Sequence, residues 1–324
     1  MAAVGSSACI YVAGHRGLIG SALVRRLERE GCRNILPRPR SELDLTHEGE
    51  GSAFFATHRP EVVLFAAGQV GGIIENQRVP ADFITQNLLI QTSVLRAAHA
   101  AEVKKLIYFG SSCMYPRDCP QPMSEDRLLT GKPEETSLPY AISKLAGTYM
   151  CLAYNKQYGA TRFLPVVPNS TYGPNDNFDP HSSHVLSALI RKIDEARERK
   201  SPFVELWGSG TPRREFIHAD DLADACSFLL QQDVGKIEFP INIGTGVDYS
   251  IRELAAIIAG VLNYHGDIRW DPSKPDGAPR KLLDDSRLRA LGWKPKINLK
   301  DGIRMTYEWY RNNRSAIQRD TLPI

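Results

Sequence analysis

The chain has 324 residues, 42% hydrophobic and 24% charged, with no apolar run long enough for a membrane helix, so it fits two lobes or one large α/β domain. Forty basic residues against 37 acidic leave a formal charge of +3, and the basic residues are scattered apart from short groups such as Arg191-Lys192, so nucleic acid and membrane are not expected partners. The N-terminus lacks signal-peptide features and the six cysteines form no C-x-x-C pair or zinc spacing, so a cytoplasmic location, reduced thiols and no metal are expected.

Ala8 to Val12 is apolar and β-prone and runs into Gly14-His15-Arg16-Gly17-Leu18-Ile19-Gly20; Leu18, Ala22, Leu23 and Leu27 then hold a helical stripe that ends at Gly31. A strand, a glycine turn and a helix in that order make a dinucleotide-binding unit. The glycines let the backbone approach a pyrophosphate, and the helix N-terminus favours its charge; a purely structural turn is the alternative. A short second strand is expected at Asn34 to Leu36, followed by Arg38-Pro39-Arg40. An NAD site places an acid here for the ribose 2′-hydroxyl. Arg38 or Arg40, with Arg16 from the glycine turn, suggests instead a 2′-phosphate and NADP(H), unless the arginines only solvate a loop. Asp44 is placed to reach the adenine.

Val62 to Ala67 is a continuous apolar run, as for a parallel strand buried on both faces, and Ala67-Gly68 ends it where a cofactor would pass. A long, mostly apolar helix is expected over about 81–101. Lys105 to Phe109 is another buried strand, and it delivers Ser111, Ser112 and Cys113 to the carboxyl edge of the sheet, where open α/β folds bind ligands. A serine hydroxyl there can hold a carbonyl oxygen. Cys113 alone reads as either a small buried apolar residue or a catalyst.

Pro139-Tyr140-Ala141-Ile142-Ser143-Lys144 opens the next helix, with Tyr140, Lys144, Gly147 and Cys151 on one face. An ammonium one turn from a phenol favours the phenolate and lowers its pKa, which makes Tyr140 a candidate proton donor; an ordinary aromatic beside a snorkelling lysine is the plain alternative. A strand at 161–167 precedes the turn formers Pro168 to Phe178, a boundary and ligand-facing loop. Next come a helix from Ser183 or His184 to Lys200, a strand at Val204 to Trp207, and Arg213 to His218 leading into a helix over Asp220 to Leu230 that packs back on the first lobe. A capping box at Ser250 opens a helix to about Leu262, another helix stops at Gly292, and a last one starts near Leu299.

Together, Gly14-x-x-Gly17-x-x-Gly20, a serine after the fourth strand and Tyr140-x-x-x-Lys144 resemble the extended short-chain dehydrogenase/reductases, which act on nucleotide sugars. Ala13 to Gly20, Val70 to Ile73, Gly110 to Pro116, Asn175 to Phe178, Ser183 to Val185, Trp207 to Phe216 and Lys274 to Leu283 are similar to the GDP-L-fucose synthase family within that group. The resemblance covers nearly the whole chain. It implies a Rossmann-type doubly wound parallel sheet with a smaller, discontinuous α/β lobe. NADP would bind to 1–167 plus about 216–245, and the nucleotide sugar to 168–215 and 246–324. The implied activity is NADPH-dependent C3/C5 epimerisation and C4-keto reduction of GDP-4-keto-6-deoxy-D-mannose to GDP-L-fucose, by a homodimer formed through the helices at about 81–101 and 140–158.

Carried over residue by residue, the resemblance makes Tyr140 the proton donor to the C4 oxygen, Lys144 its pKa-lowering neighbour and nicotinamide-ribose contact, and Ser111 a ligand of the same oxygen. Cys113 and His184 match the epimerisation acid and base; read alone, His184 would be a polar residue at a helix start. Gly14, Arg16, Gly17, Leu18, Ile19, Gly20, Arg38, Arg40, Asp44, Ala67, Gly68, Ser112, Pro168, Asn169 and His184 join Lys144 as the implied cofactor contacts. Lys192, Trp207, Arg214, Asp276 and Lys281 match positions that hold the GDP-sugar. The chain departs from the family at 168–171, at Lys192 where arginine is expected, at Gln69 where lysine is common, and at Asp179 in place of histidine. These departures line the expected sugar and nicotinamide pocket, and they keep two alternatives in view: a ketoreductase or epimerase of a related GDP-4-keto-deoxysugar or GDP-heptose, and a silent NADP-binding scaffold.

Overall fold

A computed structural model describes residues 7–179, 182–233, 238–274 and 276–320. Of the expected lobes, residues 1–6, 180–181, 234–237 and 321–324 lie outside the described residues, as does Pro275 of the motif beginning at Lys274. The chain runs β1 (Ile10–Ala13), α1 (Leu18–Arg29), β2 (Ile35–Leu36), α2 (Glu48–His58), β3 (Val62–Phe65), α3 (Ile73–Arg78), α4 (Pro80–Ala100), β4 (Lys105–Phe109), α5 (Leu138–Tyr158), β5 (Phe163–Pro168) and β6 (Ser170–Tyr172). It continues with α6 (Val185–Glu198), β7 (Phe203–Trp207), β8 (Arg213–His218), α7 (Ala219–Gln231), β9 (Ile241–Ile243), β10 (Asp248–Ser250), α8 (Ile251–Leu262), β11 (Asp267–Asp271), β12 (Arg280–Lys281), α9 (Ser286–Ala290) and α10 (Leu299–Asp320).

Six parallel strands form a doubly wound sheet in the order β2-β1-β3-β4-β5-β9, which reverses between β1 and β3. A crevice opens at the carboxyl ends of strands at such a reversal. The strands are continuously apolar because helices cover both faces. Ile10, Val12, Leu64, Ile107 and Val166 pack with α1 and α7, whereas Tyr11, Val63, Phe65 and Tyr108 pack with α2 and α4. Burying each large aliphatic side chain contributes roughly 1.5–3 kcal/mol. As expected, α7 lies back on this lobe through Leu222, Cys226 and Leu229.

A second core gathers Tyr172, Leu189, Ile193, Phe216, Leu254, Ile258, Ile303 and Tyr310. Its α8 starts with the expected capping box between Ser250 and Glu253. Here β8 pairs antiparallel with β10 and parallel with β12, placing Lys281 opposite Arg214. Residues cross between the cores: Leu288 and Trp293 of the tail pack into the first, and Trp293 Nε1 donates to Asp224 at 2.9 Å. Where the lobes meet, the fully buried Glu215 accepts hydrogen bonds from Asn169 Nδ2 (2.6 Å), Thr245 N (2.5 Å), Gly246 N (2.7 Å) and Leu283 N (3.0 Å). Burial raises its carboxyl pKa, and these donors oppose the rise.

Candidate active site

The crevice begins at the glycine turn. Gly14 has φ +81°, and a Cβ there would lie 2.8 Å from Ala67 N; a Cβ on Gly20 would lie 2.1 Å from Gly14 O. Both positions therefore need glycine, and the turn closes against Ala66-Ala67 where the strand order reverses. Gly17 caps α1 without a side chain, so the first-turn amides of Leu18 and Ile19 belong to a helix N-terminus whose field suits a pyrophosphate.

The five residues that follow β2, Pro37 to Ser41, hold two arginines and no acid. Arg38 donates to Pro37 O at 2.8 Å and lies 3.4 Å from His58 Nε2, while Arg16 stands exposed on the glycine turn. Arg40 pairs with Asp44 at 3.2 Å. The Asp44 carboxylate also accepts from Thr46 N and Oγ1, and these bonds, with Arg40, hold its pKa at about 2. Arginines in place of an acid at the end of β2 fit a 2′-phosphate better than a ribose hydroxyl. Beyond β3, buried Asn87 of α4 braces the loop at Gly68: it accepts from Gln69 N at 2.9 Å and donates to Gln69 O at 3.0 Å. Sequence reading passed over this residue.

The predicted proton donor and its neighbours lie on α5 and at the end of β4. Tyr140, Lys144, Gly147 and Cys151 are buried on one face of α5, as the spacing predicts. Ser111 caps the turn Ser112–Met114, accepts from Cys113 N at 3.2 Å, and stands near enough to the Tyr140 phenol to favour its ionised form. The expected lowering of the phenol by Lys144 is not what the structure has. Burial, and then Cys113, push Tyr140 above its ordinary value, with only the Ser111 bond opposing. Lys144 instead donates to Phe109 O at 2.9 Å, and burial draws its own pKa down to about 8. The one-turn spacing stacks the two residues, but the backbone carbonyl captures the ammonium.

Across the crevice, Lys281 Nζ lies 3.5 Å from Cys113 Sγ. Burial raises the thiol, but Lys281, Ser111 and Ser137 outweigh it, and the net displacement is downward. His184 caps α6 from an exposed position. It stands near buried Asp176, whose pKa burial raises and whose carboxylate accepts from Ser187 Oγ and, at 2.8 Å, from Asn177 N. The loop before His184 is tied to the start of α3 by Gly72 N donating to Ser182 O at 3.0 Å.

The remaining predicted contacts surround β8. Arg214 is drawn down by burial and supported by Cys113, Asp276 and Glu134. Asp276 accepts from Ser209 N at 3.0 Å and Ser209 Oγ at 2.7 Å. The half-exposed Trp207 ring carries Lys192 Nζ 4.7 Å from its centroid and Lys274 Nζ at 5.9 Å. Asn169, expected at the cofactor, commits its side chain to Glu215, to Lys281 O (3.3 Å) and to Ser170 N (2.9 Å). Pro168 ends β5 next to it.

Residues 10–244 match the NAD dependent epimerase/dehydratase family. GDP-L-fucose synthase 1 of Arabidopsis thaliana is 50% identical over 95% of this chain and 94% of its own length. The GDP-L-fucose synthase of Escherichia coli (strain K12) is 46% identical over 95% of this chain and 98% of its own. The structure of a GDP-mannoheptose C4 reductase from Campylobacter jejuni with NADP bound is 39% identical, covers 95% of this chain and 99% of its own, and superposes with a TM-score of 0.86.

Proposed function

The chain belongs to the NAD dependent epimerase/dehydratase family, and from that premise we propose that it is an NADPH-dependent enzyme that epimerises C3 and C5 and reduces the C4 ketone of GDP-4-keto-6-deoxy-D-mannose, giving GDP-L-fucose. The observation that carries this reading is the convergence at the end of β4: Ser111 Oγ accepts from Cys113 N at 3.2 Å and stands by the buried Tyr140 phenol, so one hydroxyl neighbours a candidate proton donor and a candidate proton carrier. NADPH, when bound, supplies the hydride. The Gly14–Gly20 turn and the α1 N-terminus would hold its pyrophosphate, Arg16, Arg38 and Arg40 its 2′-phosphate, and Lys144 its nicotinamide ribose.

In the chemistry assigned to the protein, Ser111 and Tyr140 hold the C4 oxygen. That ketone acidifies the flanking carbons, and Cys113 and His184 exchange protons there through an enolate whose charge rests on the held oxygen. Tyr140 then gives its proton to C4–O; its raised pKa keeps it protonated until that step. Arg214 and Lys281 face the diphosphate, Trp207 offers a ring face to the base, and Asp276 fixes the Ser209 turn beside it. The NADP lobe is 1–167 with about 216–245, the sugar lobe 168–215 with 246–324, and the location cytoplasmic. Two chains would pair through α4 and α5, which pack together and expose Leu89, Ile142 and Tyr149; sedimentation would read a dimer.

The test is NADPH oxidation with GDP-4-keto-6-deoxy-D-mannose and NMR of the product. An L-galacto product supports the reading. A D-configured 6-deoxy product makes the enzyme a C4 reductase, the second reading favoured by Lys192 in place of an arginine and by likeness to the heptose reductase. Absence of turnover refutes the first reading and turns the second to other GDP-4-keto sugars.

A further inference from the structure

We propose that Lys281 is the counter-ion of Cys113: its ammonium holds the sulfur as a thiolate in the ligand-free enzyme and so readies it to take a proton from the carbon beside the ketone. This deepens the reading of Cys113 as an epimerisation residue and rests on it.

The geometry is fixed from several sides. Lys281 Nζ stands 3.5 Å from Cys113 Sγ, and among the described residues no carboxylate lies within ion-pair distance of that ammonium. Its backbone cannot drift. Lys281 pairs in register with Arg214, and its carbonyl accepts from Asn169 Nδ2 at 3.3 Å. The next two residues are pinned as well, Leu282 N to Gln121 Oε1 at 2.9 Å and Leu283 N to the buried Glu215 carboxylate at 3.0 Å.

The groups facing the sulfur are few. Ser111 comes from its own turn, Ser137 from the start of α5, Tyr140 from α5 itself, Arg214 from β8 and Lys281 from β12. Arg214 bears on the sulfur but donates to Arg213 O at 2.8 Å and answers also to Asp276 and Glu134. Lys281 alone among these cations is in hydrogen-bond reach of the thiol. In the proton transfer the S–H bond forms as the C–H bond breaks, and the electron pair passes to the C4 oxygen held by Ser111 and Tyr140. A thiolate is the form that accepts a proton, and a neighbouring cation is what supplies it near neutrality.

The test reads alkylation, not turnover, so it stands apart from the functional assignment. Iodoacetamide labelling of Cys113 is followed by peptide mass spectrometry as pH varies, in wild type and in Lys281→Met, Lys281→Gln and Lys281→Arg. The wild-type inflection should fall below the ordinary thiol value of about 8.5. It should rise by about 1–3 pH units in the uncharged variants, as expected for losing an opposite charge at this range, and Lys281→Arg should keep it low. A wild-type inflection at or above the ordinary value overturns the proposal even if no variant folds, and so does an unshifted inflection in folded Lys281→Met or Lys281→Gln.

Discussion

The proposed reduction half and the proposed epimerisation half of the site meet at the Ser111 turn but are built differently. Tyr140, Lys144 and Ser111 sit on one helix and the strand edge beside it, inside the sheet lobe, with Lys144 clamped on the Phe109 carbonyl. Cys113 and Lys281 meet from 168 residues apart, across the lobe boundary. The first half is made by local periodicity, and the second depends on β12 keeping its register on β8. The first should therefore survive loosening of the lobe junction that the second does not.

The largest break in this comparison comes from removing the thiol. Cys113→Ala should lower formation of the epimerised product about 10²–10⁴-fold, the usual worth of a positioned acid or base, while leaving NADPH affinity by fluorescence titration as in wild type. Smaller, and aimed at the junction, is Glu215→Gln. The variant converts a carboxylate that accepts from Asn169, Thr245, Gly246 and Leu283 into an amide that cannot satisfy them all, so stability should fall by about 1–3 kcal/mol. Calorimetry reads the loss, and proton exchange at C3 and C5 should drop more than NADPH oxidation on a pre-epimerised ketone; an equal drop would erase the distinction between the halves.

Arg38→Ala belongs to the sheet lobe alone. It should weaken NADPH about tenfold and leave NADH unchanged, one charge-assisted contact being worth about 1.5 kcal/mol; titration with both cofactors checks it. The smallest effect is a pH limb. Lys144 in the ligand-free enzyme titrates near 8, below the ordinary lysine value, so it is an ammonium at pH 7 and loses that charge as pH rises through about 8. Reductive kcat/KM should decline a few-fold over that interval, and in Lys144→Met the residual activity should show no such limb.

The same contrast explains what the sequence could say. The Gly14–Gly20 turn, the arginines after β2 and the Tyr140/Lys144 face were legible because each is a local pattern with a physical reason: a close backbone approach, cations at the end of the second strand where an acid would hold a ribose, a helical repeat. The Lys144–Phe109 bond was not, since one-turn spacing fixes stacking but not which acceptor wins. Glu215 and Lys281 were illegible as partners of Asn169 and Cys113 because strand register across a lobe boundary leaves no mark in spacing. Of the elements, α2 escaped notice because Gly49 and Gly51 interrupt its pattern, although Phe54 and Phe55 anchor it in the core. The polar strand β11 escaped because it only edges β7.

The most direct measurement is deuterium incorporation at C3 and C5 of GDP-4-keto-6-deoxy-D-mannose in deuterated water, by NMR, in Tyr140→Phe and in Cys113→Ser. Two centres meeting at the Ser111 turn predict that Tyr140→Phe loses NADPH oxidation yet still exchanges protons, and that Cys113→Ser loses the exchange. Full exchange in Cys113→Ser would contradict the account.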